Sequence, residues 1–367
     1  MQQLASIHAL RALAAITITV AHTNSETNWM AVHLGVPETL PGMSTGAAAV
    51  DLFFVISGFV MVYASAAYFG SASGAATFAA RRLIRIVPAY WILTTVTLWY
   101  WYYGIGTHIT QEGFGLDGVI ASYLFVPWSR IGDPNNIGAP VLGVGWSLNY
   151  EMFFYAVFAG FLLLPRRAAI LGCCLALTLY AFWGKKLGLP SAISYFANTS
   201  ILAFVYGMGI GLAYVEGLRL PPRFAYALAA VGFALIAYTA IADVTNPRDS
   251  HWGIGSALIV AGIAFAGEPK DASGPIWRTV LLLGDASYAL YLVHGLAMMA
   301  PRFEMPTFAS WLGGQSQLAY AAFLTLVSIA AAILFHLAIE RPMTNGLRNL
   351  LSARTGGRVQ APRAIPS

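Results

Sequence analysis

At 367 residues the chain is 58% hydrophobic and only 10% charged, with a mean hydropathy of +0.67. That balance places it among polytopic membrane proteins and excludes an ordinary soluble domain. Two adjacent cysteines, Cys173 and Cys174, exclude a disulfide framework.

Apolar segments predict about ten transmembrane helices in an all-α integral membrane fold, over 4–22, 47–68, 87–103, 144–164, 168–183, 195–215, 224–242, 252–266, 280–299 and 318–339. The start of the chain shows neither a basic lead region nor a small-residue cleavage site, so the first segment is expected to remain attached. That segment carries Arg11 in its middle and His22 just past its end. Eleven steps at 100° come to three turns plus about 20°, a rise of roughly 16 Å, so the two side chains share one face at different depths. An arginine within a span is a functional candidate; snorkelling to a headgroup is the alternative. His8, three residues before Arg11, shares its face.

The second span opens Val50-Asp51-Leu52-Phe53-Phe54-Val55-Ile56-Ser57-Gly58-Phe59. Asp51 reads either as a helix cap or as a carboxylate for a catalytic histidine. Ahead of the third span, Arg82 and Arg85 stand one turn apart, offering two guanidinium forks to a polyphosphate, although any positively charged inner loop shows such residues. Gly118 to Trp128 is too short to span and suits an interfacial or re-entrant piece.

In the fourth span Ser147, Glu151 and Tyr155 recur every four residues, a polar stripe facing the bundle interior. Glu151 reads as an acid–base partner or as an interhelical hydrogen-bonding group. Cys173 and Cys174 read as small hydrophobes packed in a helix, and Gly207-Met208-Gly209-Ile210-Gly211 as a site of close helix packing. The ninth span repeats the stripe with Ser287, Tyr291 and His294. Asp285 before it reads as an N-cap, and His336 as a packed residue of the last span. One domain, 1–345, is expected, followed by a disordered cytoplasmic tail over 346–367.

Ten spans put both termini on one side. Fourteen of the twenty lysines and arginines then fall on that side, against Arg130, Lys185, Lys186, Arg248 and Arg302 on the other, so both termini are expected in the cytoplasm. The same asymmetry accounts for the net charge of +5 without a nucleic-acid partner. With this orientation His22, Asp51, Glu151 and His294 share the outer half of the bundle.

Taken in order, these features resemble the membrane acyltransferase-3 family, which O-acylates bacterial surface sugars. The likeness rests on Arg11 and His22, the block from Asp51 to Phe59, Arg82 and Arg85 with Pro88, Trp146-Ser147-Leu148 with Glu151 and Phe154-Tyr155, Ser287 to His294, and Glu340-Arg341-Pro342. Ser6 to Ala12 resembles members that modify exopolysaccharide. Some members add a hydrolase-like domain that this chain is too short to contain.

The resemblance implies catalytic roles for His22, Asp51 and Glu151, and acyl-CoA binding by Arg11, Arg82 and Arg85, with acetyl-CoA as donor and no metal. Acceptor contacts are expected from Trp146, Tyr150, Tyr291 and His294. The implied partners are acyl-CoA, a glycan or lipid-linked sugar, and the bilayer of a bacterial inner membrane. Two rivals stand beside this reading: a transporter of a polar solute or polysaccharide, and an acyl-enzyme relay through His22 or Cys173.

Overall fold

The computed structural model describes residues 4–40, 45–103, 115–129, 137–242, 244, 247–269, 271–299, 306–307, 310 and 316–354. Of the charges counted above, Arg130, Lys270, Arg302, Arg358 and Arg363 lie outside them. The described residues build a helical bundle with no strand, only an isolated bridge between Ser129 and Ile137.

Helix α1 runs from Ala5 to His33, so it continues three turns past its expected end and His22 sits in mid-helix. The polar run Thr23 to Thr27 looks like a loop in sequence. It stays helical because its hydroxyls bond carbonyls of the preceding turn: Thr23 Oγ1 to Val20 O at 3.0 Å, Ser25 Oγ to Ala21 O at 3.0 Å and Thr27 Oγ1 to Thr23 O at 2.7 Å.

Helix α3, Ala72–Tyr102, starts well ahead of the expected 87. Ser71 caps it by accepting from the Gly74 N–H at 3.0 Å, so Arg81, Arg82 and Arg85 ride on the helix itself, upstream of Pro88 in its interior. Helix α4, Leu116–Tyr123, is the short piece expected there. It leans on α3 through Tyr90 Oη to Ser122 O (3.1 Å) and Trp91 Nε1 to Tyr123 O (2.8 Å).

Helix α2, Thr45–Ala64, meets α7, Leu202–Val215, backbone to backbone. A Cβ on Gly58 would come within 2.2 Å of the Phe204 carbonyl oxygen, and one on Gly207 within 2.0 Å of that of Val55. The expected close packing is therefore present, and only glycine fits either position. Phe204 stacks between Phe54 and Phe154, with ring centroids 4.5 and 4.4 Å away.

The other helices longer than ten residues are α5 (Trp146–Phe161), α6 (Arg166–Trp183), α8 (Pro222–Ile241), α9 (Gly253–Phe265), α10 (Pro275–Asp285), α11 (Ser287–Met299), α12 (Ser316–Phe335) and α13 (Arg341–Arg354). All ten expected segments contain helix, but among the described residues six helices are long and apolar enough to cross a membrane, or seven if the bent pair α10–α11 is one span. The others fall short; α9, with 13 residues, measures about 20 Å against a hydrocarbon core of about 30 Å.

Between α10 and α11 the axis bends by 69°. Asp285 is consequently the last residue of α10 and not an N-cap, and its Oδ1 lies 3.2 Å from His8 Nδ1. The expected tail is helical through Arg354, and 355–367 lie outside the described residues.

Candidate active site

Two cavities lie end to end inside the bundle. The narrower, about 90 Å3, gathers Arg11 from α1, Ser57 from α2, Arg82 and Arg85 from α3, Glu151 and Tyr155 from α5, and Ser287 and Tyr291 from α11. Arg11 does not snorkel: its Nε and Nη2 both donate to Ser287 Oγ, at 3.2 and 3.0 Å. The α10–α11 bend makes this possible by bringing the first turn of α11 against α1. Glu151 accepts from Ser57 Oγ at 3.1 Å and from the Tyr155 hydroxyl. Arg82 lies over the rings of Phe78 (5.5 Å) and Tyr155 (5.8 Å), and its buried Nε has no hydrogen-bond partner. A cationic wall with an unsatisfied donor is suited to an anion.

The wider cavity, about 450 Å3, is bordered by His22, Ser25, Glu26 and Trp29 of α1 and by His294 and its neighbours on α11. His22 is exposed to it, whereas His294 is 1% exposed. His294 Nε2 and His22 Nδ1 are 2.8 Å apart, with the rings within 15° of parallel.

The second nitrogen of His294 fixes the protons. Its Nδ1 lies 2.9 Å from the Leu290 carbonyl, which only accepts, so in the neutral ring Nδ1 carries the hydrogen and Nε2 the lone pair. His22 must then donate from Nδ1, which leaves its Nε2 as a lone pair, the form a general base needs.

Tyr291 stands between the cavities. Its hydroxyl lies 2.6 Å from Ser147 Oγ, a wall of the narrow cavity, and donates at 2.8 Å to the carbonyl of Val144, a wall of the wide one. Both sequence stripes therefore face the interior, and Tyr291 and His294, expected as acceptor contacts, border different cavities.

Neither predicted carboxylate reaches His22 by a hydrogen bond: Glu151 is held as above, and Asp51 is taken by Arg248. Asp51 sits in the second turn of α2, 1% exposed, so it is not a cap; its Oδ2 receives Arg248 Nε at 3.1 Å. Arg248, expected in an outer loop, lies between the rings of Trp146 (5.3 Å) and Trp252 (5.6 Å). Trp146 is thus engaged with a cation. Tyr150, 3% exposed, bonds the Tyr195 carbonyl at 3.0 Å within an aromatic cluster; neither residue lines the two cavities.

Cys173 is buried in the apolar core, away from both cavities. His336 is buried as expected and meets Glu340 Oε2 at 2.8 Å. Glu26 and Arg248 escaped the sequence reading. Glu26 lies one turn beyond His22, a spacing that becomes visible once α1 is known to continue. Arg248 gives no local signal, because its partner lies 197 residues away.

The family described as an acyltransferase domain matches residues 4–337. The chain belongs to the acyltransferase-3 family. It is thus an acyltransferase, and its long apolar helices make it a multi-pass membrane protein. It is 36% identical to the exopolysaccharide production protein ExoZ of Rhizobium meliloti, over 85% of this chain and 94% of that protein. It is 24% identical to the acyltransferase MdmB of Streptomyces mycarofaciens, over 93% and 91%. Against the putative peptidoglycan O-acetyltransferase YrhL of Bacillus subtilis it is 23% identical, over 93% of this chain and 55% of that one. No solved structure matches it.

Proposed function

We propose that this protein moves an acyl group, acetyl in the first instance, from acyl-CoA to a sugar hydroxyl of a bacterial exopolysaccharide or lipid-linked glycan, in the inner membrane. The observation that carries the reading is the His22–His294 contact, which leaves a basic nitrogen facing a roomy cavity while a cationic cavity lies along the same helix. The ExoZ likeness supports the choice of a polysaccharide acceptor.

The arginine end faces the cytoplasm in this reading, where acyl-CoA is made, in keeping with the lysine and arginine asymmetry. Arg82 and Arg85 hold the donor's phosphates, and Arg11, fixed on Ser287, guides the slender pantetheine arm. The rise of roughly 16 Å along α1 from Arg11 to His22 is of the order such an arm bridges. Tyr291 has to turn aside for the thioester to reach the histidines.

His22 Nε2 takes the proton of the sugar hydroxyl as its oxygen attacks the thioester carbonyl. Its Nδ1–H goes on donating to His294 Nε2, and His294 is in turn held by the Leu290 carbonyl, so this relay performs the orienting that a carboxylate performs in a triad. When the tetrahedral adduct breaks its C–S bond, His22 returns the proton to the departing thiolate. The acyl group passes directly to oxygen, and burial of Cys173 weighs against a cysteine relay.

The test is to incubate purified protein with labelled acetyl-CoA and an oligosaccharide acceptor. Ester label on the sugar is expected. A transporter would leave the thioester intact, and a relay would label the protein. Comparing O-acyl groups on the surface polysaccharide of a deletion strain and its parent identifies the acceptor.

A further inference from the structure

A third cavity, about 290 Å3, opens at the arginine end, between the close of α2, the first half of α3, and α13. Three guanidiniums line it: Arg81, Arg82 and, from α13, Arg348. Two rings, Tyr68 and Phe78, stand under the guanidiniums in its wall, with Arg81 5.8 Å over the first and Arg82 5.5 Å over the second. Among the described residues no carboxylate lines it. Glu340, the acid nearest in the chain, is buried and bonded to His336.

Arg348 stands with Arg81 and Arg82 in the wall of one cavity and within electrostatic reach of Arg85, and the acid that reaches it, Glu340, is already bonded to His336. Like charges brought together in this way repel, and the arrangement becomes favourable when an anion enters. Helix α13 is placed to do this by its own pattern. Met343, Leu347 and Leu351 recur every four residues and are the less exposed positions, Thr344 beside them is buried, and the helix packs on α3. Arg348, one turn after Thr344, is thereby turned toward Arg81 and Arg82.

Arg82 lines both this cavity and the narrow one that holds Arg11. A multiply phosphorylated aromatic head suits the outer chamber, its phosphates reaching Arg82, which lines both, and Arg85 of the inner, with a thin arm running on past them. We propose that α13 forms the outer wall of a pocket for the nucleotide end of the acyl donor, with Arg348 and Arg81 binding its ribose phosphate while Arg82 and Arg85 bind its pyrophosphate. This rests on the reading of acyl-CoA as donor. It adds a binding residue from a segment outside the 4–337 family match.

The full chain in nanodiscs of zwitterionic lipid is assayed with acetyl-CoA, 3′-dephospho-acetyl-CoA and S-acetylpantetheine. Arg348→Ala should raise the KM for acetyl-CoA about tenfold with kcat within twofold, because phosphate contacts persist from ground state to transition state. The parent should prefer acetyl-CoA to its dephospho form, and Arg348→Ala should erase that preference while leaving the S-acetylpantetheine rate unchanged. Arg348→Lys, which keeps the charge, should recover most of the loss. Equal losses with all three donors, or an unchanged KM for acetyl-CoA, overturn the proposal while leaving the donor reading intact. A parent that uses none of the three thioesters overturns both. If the Arg348→Ala effect appears only when anionic lipid is added, the cavity is a headgroup site and the proposal fails.

Discussion

Arg248 Nε meets Asp51 Oδ2 at 3.1 Å although the two residues are 197 positions apart, and Asp51 is 1% exposed. This pair joins the first part of α2 to the segment before α9, and Arg248 Nη2 also reaches the Ala47 carbonyl at 3.4 Å. Removing one partner of such a buried pair costs about 3–5 kcal/mol, because the other charge is left uncompensated. Arg248→Ala should therefore lower thermal stability in detergent, and adding Asp51→Asn should restore part of it. An Arg248→Ala protein as stable as the parent but inactive would move the pair from scaffold to catalysis.

His294→Ala should lower kcat by about 10²- to 10⁴-fold, the usual contribution of a positioned acid–base system, with the donor KM unchanged. It should add little to the effect of His22→Ala in a double variant, because the two act as one unit. His294→Gln, whose side-chain oxygen can still accept from His22 Nδ1, should retain more activity than alanine. Parity between alanine and glutamine would mean that the accepting atom does not matter. Steady-state transfer rates on folded, membrane-extracted protein decide between these.

Arg82→Ala combined with Arg85→Ala should raise the donor KM far more than it lowers kcat. Each lost charge-assisted contact is worth about 1.5–3 kcal/mol. Donor titration at saturating acceptor reads this directly. An unchanged KM with normal insertion would remove the two arginines from the donor path.

Arg11→Leu should insert at least as well as the parent, because the cost of an arginine in the span disappears, yet transfer should be lost. Arg11→Lys should not restore it, since a single ammonium cannot reproduce the Nε and Nη2 pair on Ser287 Oγ. Expression level and transfer rate, measured together, separate a folding effect from a site effect. A fully active Arg11→Leu enzyme would make the arginine a bystander.

Periodicity made much of this legible in advance. The spacing of Ser147, Glu151 and Tyr155 at every fourth residue, and of Ser287, Tyr291 and His294 at four and then three, put both stripes on interior faces, and Gly207 announced the contact that α2 and α7 make. Hydropathy misplaced boundaries where polar residues satisfy themselves locally: the hydroxyls of Thr23, Ser25 and Thr27 hide the continuation of α1, and the arginines of α3 look like a loop. Partnerships were harder still. Nothing near Asp51 names Arg248, and nothing near His22 shows that its partner is a second histidine 272 positions on.

The hydroxyl of Tyr291, shared between Ser147 Oγ and the Val144 carbonyl, has a consequence for the cell as well as for the reaction. Two cavities that meet at one side chain would form a leak through a membrane if that side chain moved aside and left the gap empty. On the proposed mechanism the side chain that yields to the thioester would also hold back protons and small ions, so conductance should be possible only in the brief interval when the arm itself fills the gap.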